Sequence, residues 1–412
     1  MTDPETHGAI DAVWRIESPK LIAGLTRIVR DVGLAEDLAQ DALVAALEQW
    51  PESGVPAKPG AWLMATAKHR AIDRLRRDER LERKHQEIGR EMEVQEGQQE
   101  GDDLLRLMFI SCHPILAPEA RVALTLRLLA SLTTEEIARA FLVPTSTIAQ
   151  RIVRAKRTLT EARVPFEVPS GPELEARLSS VLQVIYLVFN EGYSATVGDD
   201  LLRAGLCEDA LRLGRILAGL VPKEPEVHGL VALMEIQASR SRARVGPSGE
   251  MVLLPDQDRS RWDQLLIRRG LAALERAEQL GGALGPYALQ AAIAACHARA
   301  RTPAETDWSR IVALYDALAE LTPSAVVELN RAVAVGMAFG PAAGLELVDA
   351  LRSEPALRTY HFLPSVRGDF LAKLGRHDEA RVEFERAAAL TQNARERELL
   401  LDRAVASSHR DA

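Results

Sequence analysis

The stretch "LTTEEIARAFLVPTSTIAQRIVRAKRTL", Leu132 to Leu159, decides the fold. Thr133 with Glu136 three residues later is a capping-box pair, and Leu132 with Ile137 can close a hydrophobic staple across the same turn. Ile137, Ala138 and Phe141 then face inward. This first helix must stop before Pro144, whose ring and missing N–H cannot continue it. Thr145 can cap a second helix. Along that helix Ile148, Ile152, Ala155 and Leu159 recur at helical spacing as one apolar stripe. Thr147, Gln150, Arg151, Arg154 and Arg157 take the opposite face. Such a pair makes a helix-turn-helix: polar side chains near the second helix's start reach base edges, and the arginines hold phosphates. An amphipathic hairpin with a solvated basic face has the same pattern, so these residues alone leave both readings open.

A second basic stretch lies upstream. In "AWLMATAKHRAIDRLRRDER" Met64, Ala67, Ala71 and Leu75 form an apolar stripe, and Thr66, Arg70, Asp73 and Arg77 lie opposite. His69, Arg74 and Arg76 stand beside that face. A solvated helix is the plain alternative, but two compact basic faces suit a protein that touches a duplex at two places. Before it comes a helix of opposite sign, "AEDLAQDALVAALEQW". Leu38, Ala42, Ala46 and Trp50 line its inner side, and Asp37, Gln40, Asp41, Val44 and Glu48 its outer side. Acid there repels phosphate, so this face suits a basic protein partner or simply water.

The totals fit an all-α chain. Its 412 residues allow two or three domains, each with its own core. Aromatics are 4% while Ala, Leu, Arg and Glu dominate, a mix that favours helices. The apolar fraction of 47% argues against disorder. The start has no basic head with an apolar run, and the longest apolar run, Val181 to Phe189, is far too short to span a membrane. Cys112, Cys207 and Cys296 are odd in number and widely spaced, which suits free thiols in a cytoplasm. The adjacent Cys112-His113 lacks a second ligand cluster, so no metal or other cofactor is expected. No phosphate-binding loop or nucleophile–base order points to an enzyme. The acids of "DQDR" are expected to form a structural salt bridge with Arg259.

Residues 9–78 and 104–163 read as two small helical domains. Between them the 79–103 stretch is almost wholly charged or amide and reads as an acidic linker. "VPFEVPSGPE" punctuates the chain at 164–173. Residues 174–406 are helix after helix. Near their end Gly368, Gly375, Ala380, Phe384 and Ala387 have the spacing of a tetratricopeptide helix pair, with Gln392 where such a repeat commonly carries Pro. Ala210 to Pro222 is a fainter echo.

Taken in order, "GLAEDLAQDALVAALEQW", "PGAWLMATAKHRAIDRLRR", the acidic linker and the opening stretch resemble bacterial RNA polymerase sigma factors of the extracytoplasmic-function type. The resemblance implies that Glu36, Asp37, Gln40 and Asp41 dock on the clamp helices of the largest subunit of core RNA polymerase. It assigns the −10 box of promoter DNA to His69, Arg70, Arg74, Arg76 and Arg77. The −35 box falls to Ser146, Thr147, Gln150, Arg151, Arg154 and Arg157. The chain departs from the family where Leu142 replaces the Gly common in the turn, and where Ala149 and Gln150 replace a more polar pair. "VFNEGYSAT" (188–196), "LLPDQDRSRW" (253–262) and "SCHPILAPEARVALTLRLL" resemble a subgroup with a long tetratricopeptide-like extension. There the extension stands in for a separate anti-sigma factor. Asn190, Glu191 and Tyr193 are expected at an interdomain contact or, alternatively, in a satisfied turn. The competing function is a non-sigma DNA-binding regulator or scaffold whose repeats bind a peptide or small ligand.

Overall fold

The computed structural model describes residues 4–77, 96–193, 203–247 and 250–408. Among them are 18 α-helices and no β-strand, and an isolated bridge joins Val245 and Met251. The chain divides into two compact units, Met1–Leu187 and Val188–Ala412.

The first unit opens with α1 (Pro4–Val29), α2 (Val32–Ser53) and α3 (Pro59–Arg77), which pack pairwise. Asp31 caps α2 by accepting the Leu34 amide at 2.7 Å. The stripe Leu38, Ala42, Ala46 and Trp50 is buried, as are Leu63, Ala67 and Ala71 on α3. Trp50 meets Trp62 edge to face at 5.3 Å. Next come α4 (Glu96–Ser111), α5 (Pro118–Leu128), α6 (Thr134–Ala140), α7 (Thr145–Glu161) and α8 (Pro172–Tyr193).

Two expected boundaries shift. Residues 78–95 of the acidic stretch lie outside the described residues, but α4 already begins at Glu96, so 96–103 are helix rather than linker. Asp103 is buried and accepts from Arg27 Nε at 3.0 Å and Arg106 Nη1 at 2.7 Å, which gives this acidic end a folded place. The division expected at 164–173 falls instead after Leu187, inside α8. The reason is the open end of α4, whose last carbonyls need donors. Arg177 Nη2 donates to the Phe109 carbonyl at 3.1 Å, Ser180 Oγ donates to the Cys112 carbonyl at 2.6 Å, and Arg121 in turn donates to Ser180. The start of the long C-terminal block is thereby part of the first unit.

The second unit holds α9 (Ala204–Leu220), α10 (Pro225–Ala238), α11 (Gln264–Gln279), α12 (Pro286–Arg299), α13 (Trp308–Leu321), α14 (Ala325–Phe339), α15 (Pro341–Ala350), α16 (Phe362–Lys373), α17 (His377–Leu390) and α18 (Ala394–Ser408). From α12 onward each helix packs on the next, the nearest-neighbour logic of a repeat array. The tetratricopeptide-like pair is α16 with α17. A Cβ on Gly368 would stand 2.8 Å from the Phe384 ring, and Ala380, Phe384 and Ala387 are all buried. Gly375 takes φ +76° just beyond α16. One residue past the position where the repeat would carry Pro, Asn393 Oδ1 caps α18 by accepting the Arg395 and Glu396 amides.

The turn of the helix-turn-helix keeps its left-handed residue without glycine. Leu142 has φ +50°, with its N–H on the Arg139 carbonyl and that of Val143 on the Ala138 carbonyl, the two bonds of a Schellman ending. Its side chain is half exposed, so little burial offsets the cost of that backbone, roughly 1–2 kcal/mol for an L-residue. Leu142→Gly should therefore stabilise the first unit by about 0.5–1 kcal/mol, and Leu142→Val should weaken it. The midpoint of urea unfolding, followed by helix content, checks both directions.

Candidate nucleic-acid interface

The second helix of the pair, α7, presents the expected two faces. Ile148, Ile152, Ala155 and Leu159 are buried. Ser146, Gln150, Arg154 and Arg157 are exposed, and Thr147 and Arg151 half-buried. The capping box of α6 is formed in both directions, Glu136 N on Thr133 Oγ1 at 3.1 Å and Thr133 N on Glu136 Oε2 at 2.8 Å. Thr145 is not the cap of α7. Pro144 holds that position with an extended backbone, its carbonyl accepts the Thr147 amide at 2.9 Å, and no side chain caps the helix. Sequence reading also missed Glu161, whose Oε1 accepts from Arg157 Nε at 2.6 Å on the exposed face. A phosphate would have to displace it, a small cost for a solvated pair.

On α3, His69 is exposed and Arg70 half-buried. Arg70 Nη1 donates to the Asp41 carbonyl at 2.8 Å and lies 3.7 Å from the Asp41 carboxylate, so it is tied to the acidic helix α2. Arg74, Arg76 and Arg77 occupy the last turn of α3, and their side chains lie outside the described residues.

The acidic helix divides its four expected contact residues. Asp37 and Asp41 are exposed beside Val44, Leu47 and Glu48, whereas Gln40 is half-buried. Glu36 is only 3% exposed and does not face a partner surface. Its Oε1 accepts from Arg127 Nε at 2.6 Å and from Gln40 Nε2 at 2.8 Å, and its Oε2 pairs with Lys156 of α7. Burial pushes the Glu36 carboxyl up, but the adjacent Lys156 and Arg127 charges and hydrogen bonds outweigh it and hold the group below the ordinary range. The helical period that puts Ala35 and Ala39 inside carries Glu36 inside with them, and the two cations make that possible.

The distinctive stretches of the long C-terminal block act as internal anchors. Glu191 pairs with Arg203, and Asn190 is exposed. Tyr193 stacks on Phe189 at 5.6 Å and lies 4.0 Å beneath the Arg244 guanidinium. Residues 194–196 of "VFNEGYSAT" lie outside the described residues. In "LLPDQDRSRW" Arg259 makes no salt bridge with the neighbouring acids. Its Nη1 donates at 2.6 Å to the carbonyls of His297 and Ala300, at the end of α12, and its guanidinium sits 4.8 Å over Trp262. Those carbonyls lack helical donors and attract the cation more strongly than the solvated Asp258, which bonds Ser260 instead. Just past the end of α4 in the first unit, burial raises the Cys112 thiol, countered only in part by bonds from Thr125 and Ser111, so it is not poised as a thiolate ligand. No group of three or more metal-ligating side chains occurs among the described residues, and no described helix is long and apolar enough to cross a membrane.

Known families match in the same order. A model described as Sigma-70 region 2 matches residues 14–81 and one described as Sigma-70, region 4 matches 106–159. A family of unknown function (DUF6596) matches 177–278, which contains all of "VFNEGYSAT" and all of "LLPDQDRSRW". An uncharacterized protein of Rhizobium meliloti is 43% identical over 408 residues, covering 96% of this chain and 94% of that one. A Mycobacterium tuberculosis protein named Probable ECF RNA polymerase sigma factor SigI is 25% identical over 170 residues, 39% of this chain and 58% of its own.

His297 gives a pH test of the anchored loop. Burial, then the Arg240 and Arg259 charges, depress its pKa to about 4, so it stays neutral in the fold. Between about pH 6.5 and 4 the unfolded chain takes a proton that the folded chain refuses, so stability falls as the pH drops through that window, by about 3 kcal/mol in all. His297→Gln should flatten this part of the stability–pH curve, measured by urea unfolding at pH 7, 5.5 and 4.5.

Proposed function

The chain belongs to the sigma-70 family as a factor of the extracytoplasmic-function type with a C-terminal helical extension, and from that premise we propose how its surfaces divide the work. As a sigma factor it serves core RNA polymerase and promoter DNA in transcription initiation, a binding role rather than a catalytic one. The exposed acidic face of α2, centred on Asp37 and Asp41 and bordered by Gln40, docks on the clamp helices of the polymerase largest subunit. Ser146, Thr147, Gln150, Arg151, Arg154 and Arg157 of α7 read the −35 box. His69, Arg70, Arg74, Arg76 and Arg77 of α3 serve the −10 box. The site of action is the cytoplasm.

The observation that carries this reading is the sorting of faces on α7. The apolar stripe is fully buried while Gln150, Arg154 and Arg157 stand in solvent, the arrangement a groove-reading helix needs. The fused extension acts as the regulatory element in place of a separate anti-sigma factor. What supports this is the packing of its first turns into the sigma-type unit, through Arg177 and Ser180 on the end of α4.

Run-off transcription with core polymerase tests the proposal. Arg154→Ala with Arg157→Ala should lower initiation tenfold or more and weaken phosphate contact, reducing the salt dependence of promoter binding by about two phosphates' worth. Asp37→Lys with Asp41→Lys should cut capture of core polymerase. Strong promoter binding without any polymerase capture would favour a conventional DNA-binding regulator instead. Ending the chain after Tyr193 keeps α8 whole. If the extension restrains the sigma unit, this truncation should raise transcription, whereas loss of activity in a folded truncated protein would make the extension an activator.

A further inference from the structure

Two cations of the extension share one carboxylate at the wall of a cavity. The cavity lies between α16, α17 and α18 and measures about 260 Å³. Asp369 Oδ2 is 2.8 Å from Lys373 Nζ, and its Oδ1 holds Arg403 of α18. One negative charge against two positive ones leaves a single positive charge over. Neither cation is saturated by the contact. Besides Asp369, the hydrogen-bond acceptor that Lys373 finds among the described residues is the weak Met337 thioether at 3.8 Å. Arg403 gives Nη2 to Asp369, while its Nε and Nη1 make no hydrogen bond among the described residues. The guanidinium sits 4.4 Å over the buried Phe384 ring, which fixes the plane of the fork before any ligand arrives. His377, the first residue of α17, lines the same space, and no side chain caps that 14-residue helix, so a positive helix end adds to the two cations. The rest of the wall is apolar, formed by Ala372, Ala406 and Phe384.

We propose that this cavity binds a small monocarboxylic acid with an aromatic or branched apolar body, its carboxylate on Arg403 and Lys373. The size sets the class. An apolar cavity of about 150 Å³ takes benzene, so this one has room for a ring and an acidic group. It falls short of the roughly 300–1,000 Å³ of sites for drug-sized ligands. The charge sets the acidic group. A carboxylate matches both the single surplus charge and the planar fork of Arg403, with Lys373 as a point charge beside it. Inorganic phosphate has more charge than the site leaves over and nothing to lay against the alanines. The plain alternative is an ion triad that ties α16 to α18 and offsets the carbonyl end of α16, where Lys373 stands. Such a triad needs the three charges and has no use for an apolar-walled space beside them. The site belongs to the extension alone and does not depend on the roles of α2, α3 and α7.

Isothermal titration of the full-length chain with benzoate, in the absence of polymerase and DNA, tests the site. One benzoate per chain should bind saturably with a Kd below about 1 mM. Acetate, which lacks the ring, benzyl alcohol, which lacks the charge, and inorganic phosphate should each bind at least tenfold more weakly. Lys373→Met should weaken benzoate at least tenfold. Ala406→Leu keeps every charge but fills the cavity, and it should weaken benzoate as much. Both positions are exposed, so both variants should fold, which helix content and melting curves establish. Absence of saturable benzoate binding, or binding that either folded variant leaves unchanged, would overturn the proposal. Equal affinity for acetate or phosphate would overturn it in favour of an unselective anion site. Tighter binding of a blocked dipeptide ending in phenylalanine would overturn it in favour of a peptide end. None of these outcomes bears on polymerase capture or promoter reading, so the sigma reading stands or falls separately.

Discussion

A carboxylate taken out of water must be paired, and the way Glu36 is paired constrains the whole first unit. Stripping hydration from an ion costs several kcal/mol, recovered only by close opposite charge and hydrogen bonds. Glu36 obtains both from Arg127 and Lys156, with Gln40 as a third donor. Those cations stand on α5 and α7, so satisfying one side chain of α2 fixes where the helix-turn-helix rests. The surrounding bonds, Asp31 with Thr160 and Ser18 with Ser131, are individually weak. They act as register marks around a contact whose strength lies at its centre.

This placement also resolves a tension in the sequence, which has a formal net charge of −8 and yet a helix with four cations in seven residues, Arg151 to Arg157. Charge acts over about 8–10 Å at physiological salt, so what a phosphate meets is the local face rather than the sum over the chain. On α7 that face is smaller than the residue count suggests. Lys156 turns toward Glu36 and Arg157 leans on Glu161, so Arg154 is the cation left most open to an approaching backbone.

Much of the fold was legible because it rests on periodicity and capping. The stripes of α2 and α7, the capping box of α6 and the tetratricopeptide-like pair at Gly368–Phe384 all follow from local rules. What could not be read depends on distant partners. Glu36 looks like its exposed neighbour Asp37 until Arg127 and Lys156, far along the chain, are brought beside it. The end of the linker looked unstructured because no local rule pairs Asp103 with Arg27. The boundary at 164–173 was misplaced for the same reason: Pro and Gly mark a turn, but nothing in them says that Arg177 will cap a helix ending at Ser111. The functional faces stand between these cases. Their residues are visible from spacing, whereas their availability depends on which of them the fold itself consumes.

The distinctive stretches of the extension follow that pattern. A run such as "LLPDQDRSRW" invites a search for chemistry, because charged and aromatic residues seldom cluster in a loop without a task. The task here is mechanical. Arg259 closes the end of α12, Gln257 holds the Val252 carbonyl at 3.2 Å, and Trp262 is buried beneath the guanidinium. A loop that long, joining α10 to α11, needs such anchors, since an unpinned loop would leave its own backbone groups and the end of α12 without partners. His297 remains neutral in the middle of this arrangement because burial, and then the charges of Arg240 and Arg259, oppose a proton there. The hallmark residues thus define the shape of the extension, and any ligand or partner it recognises must be met by the more ordinary side chains that this framework holds outward.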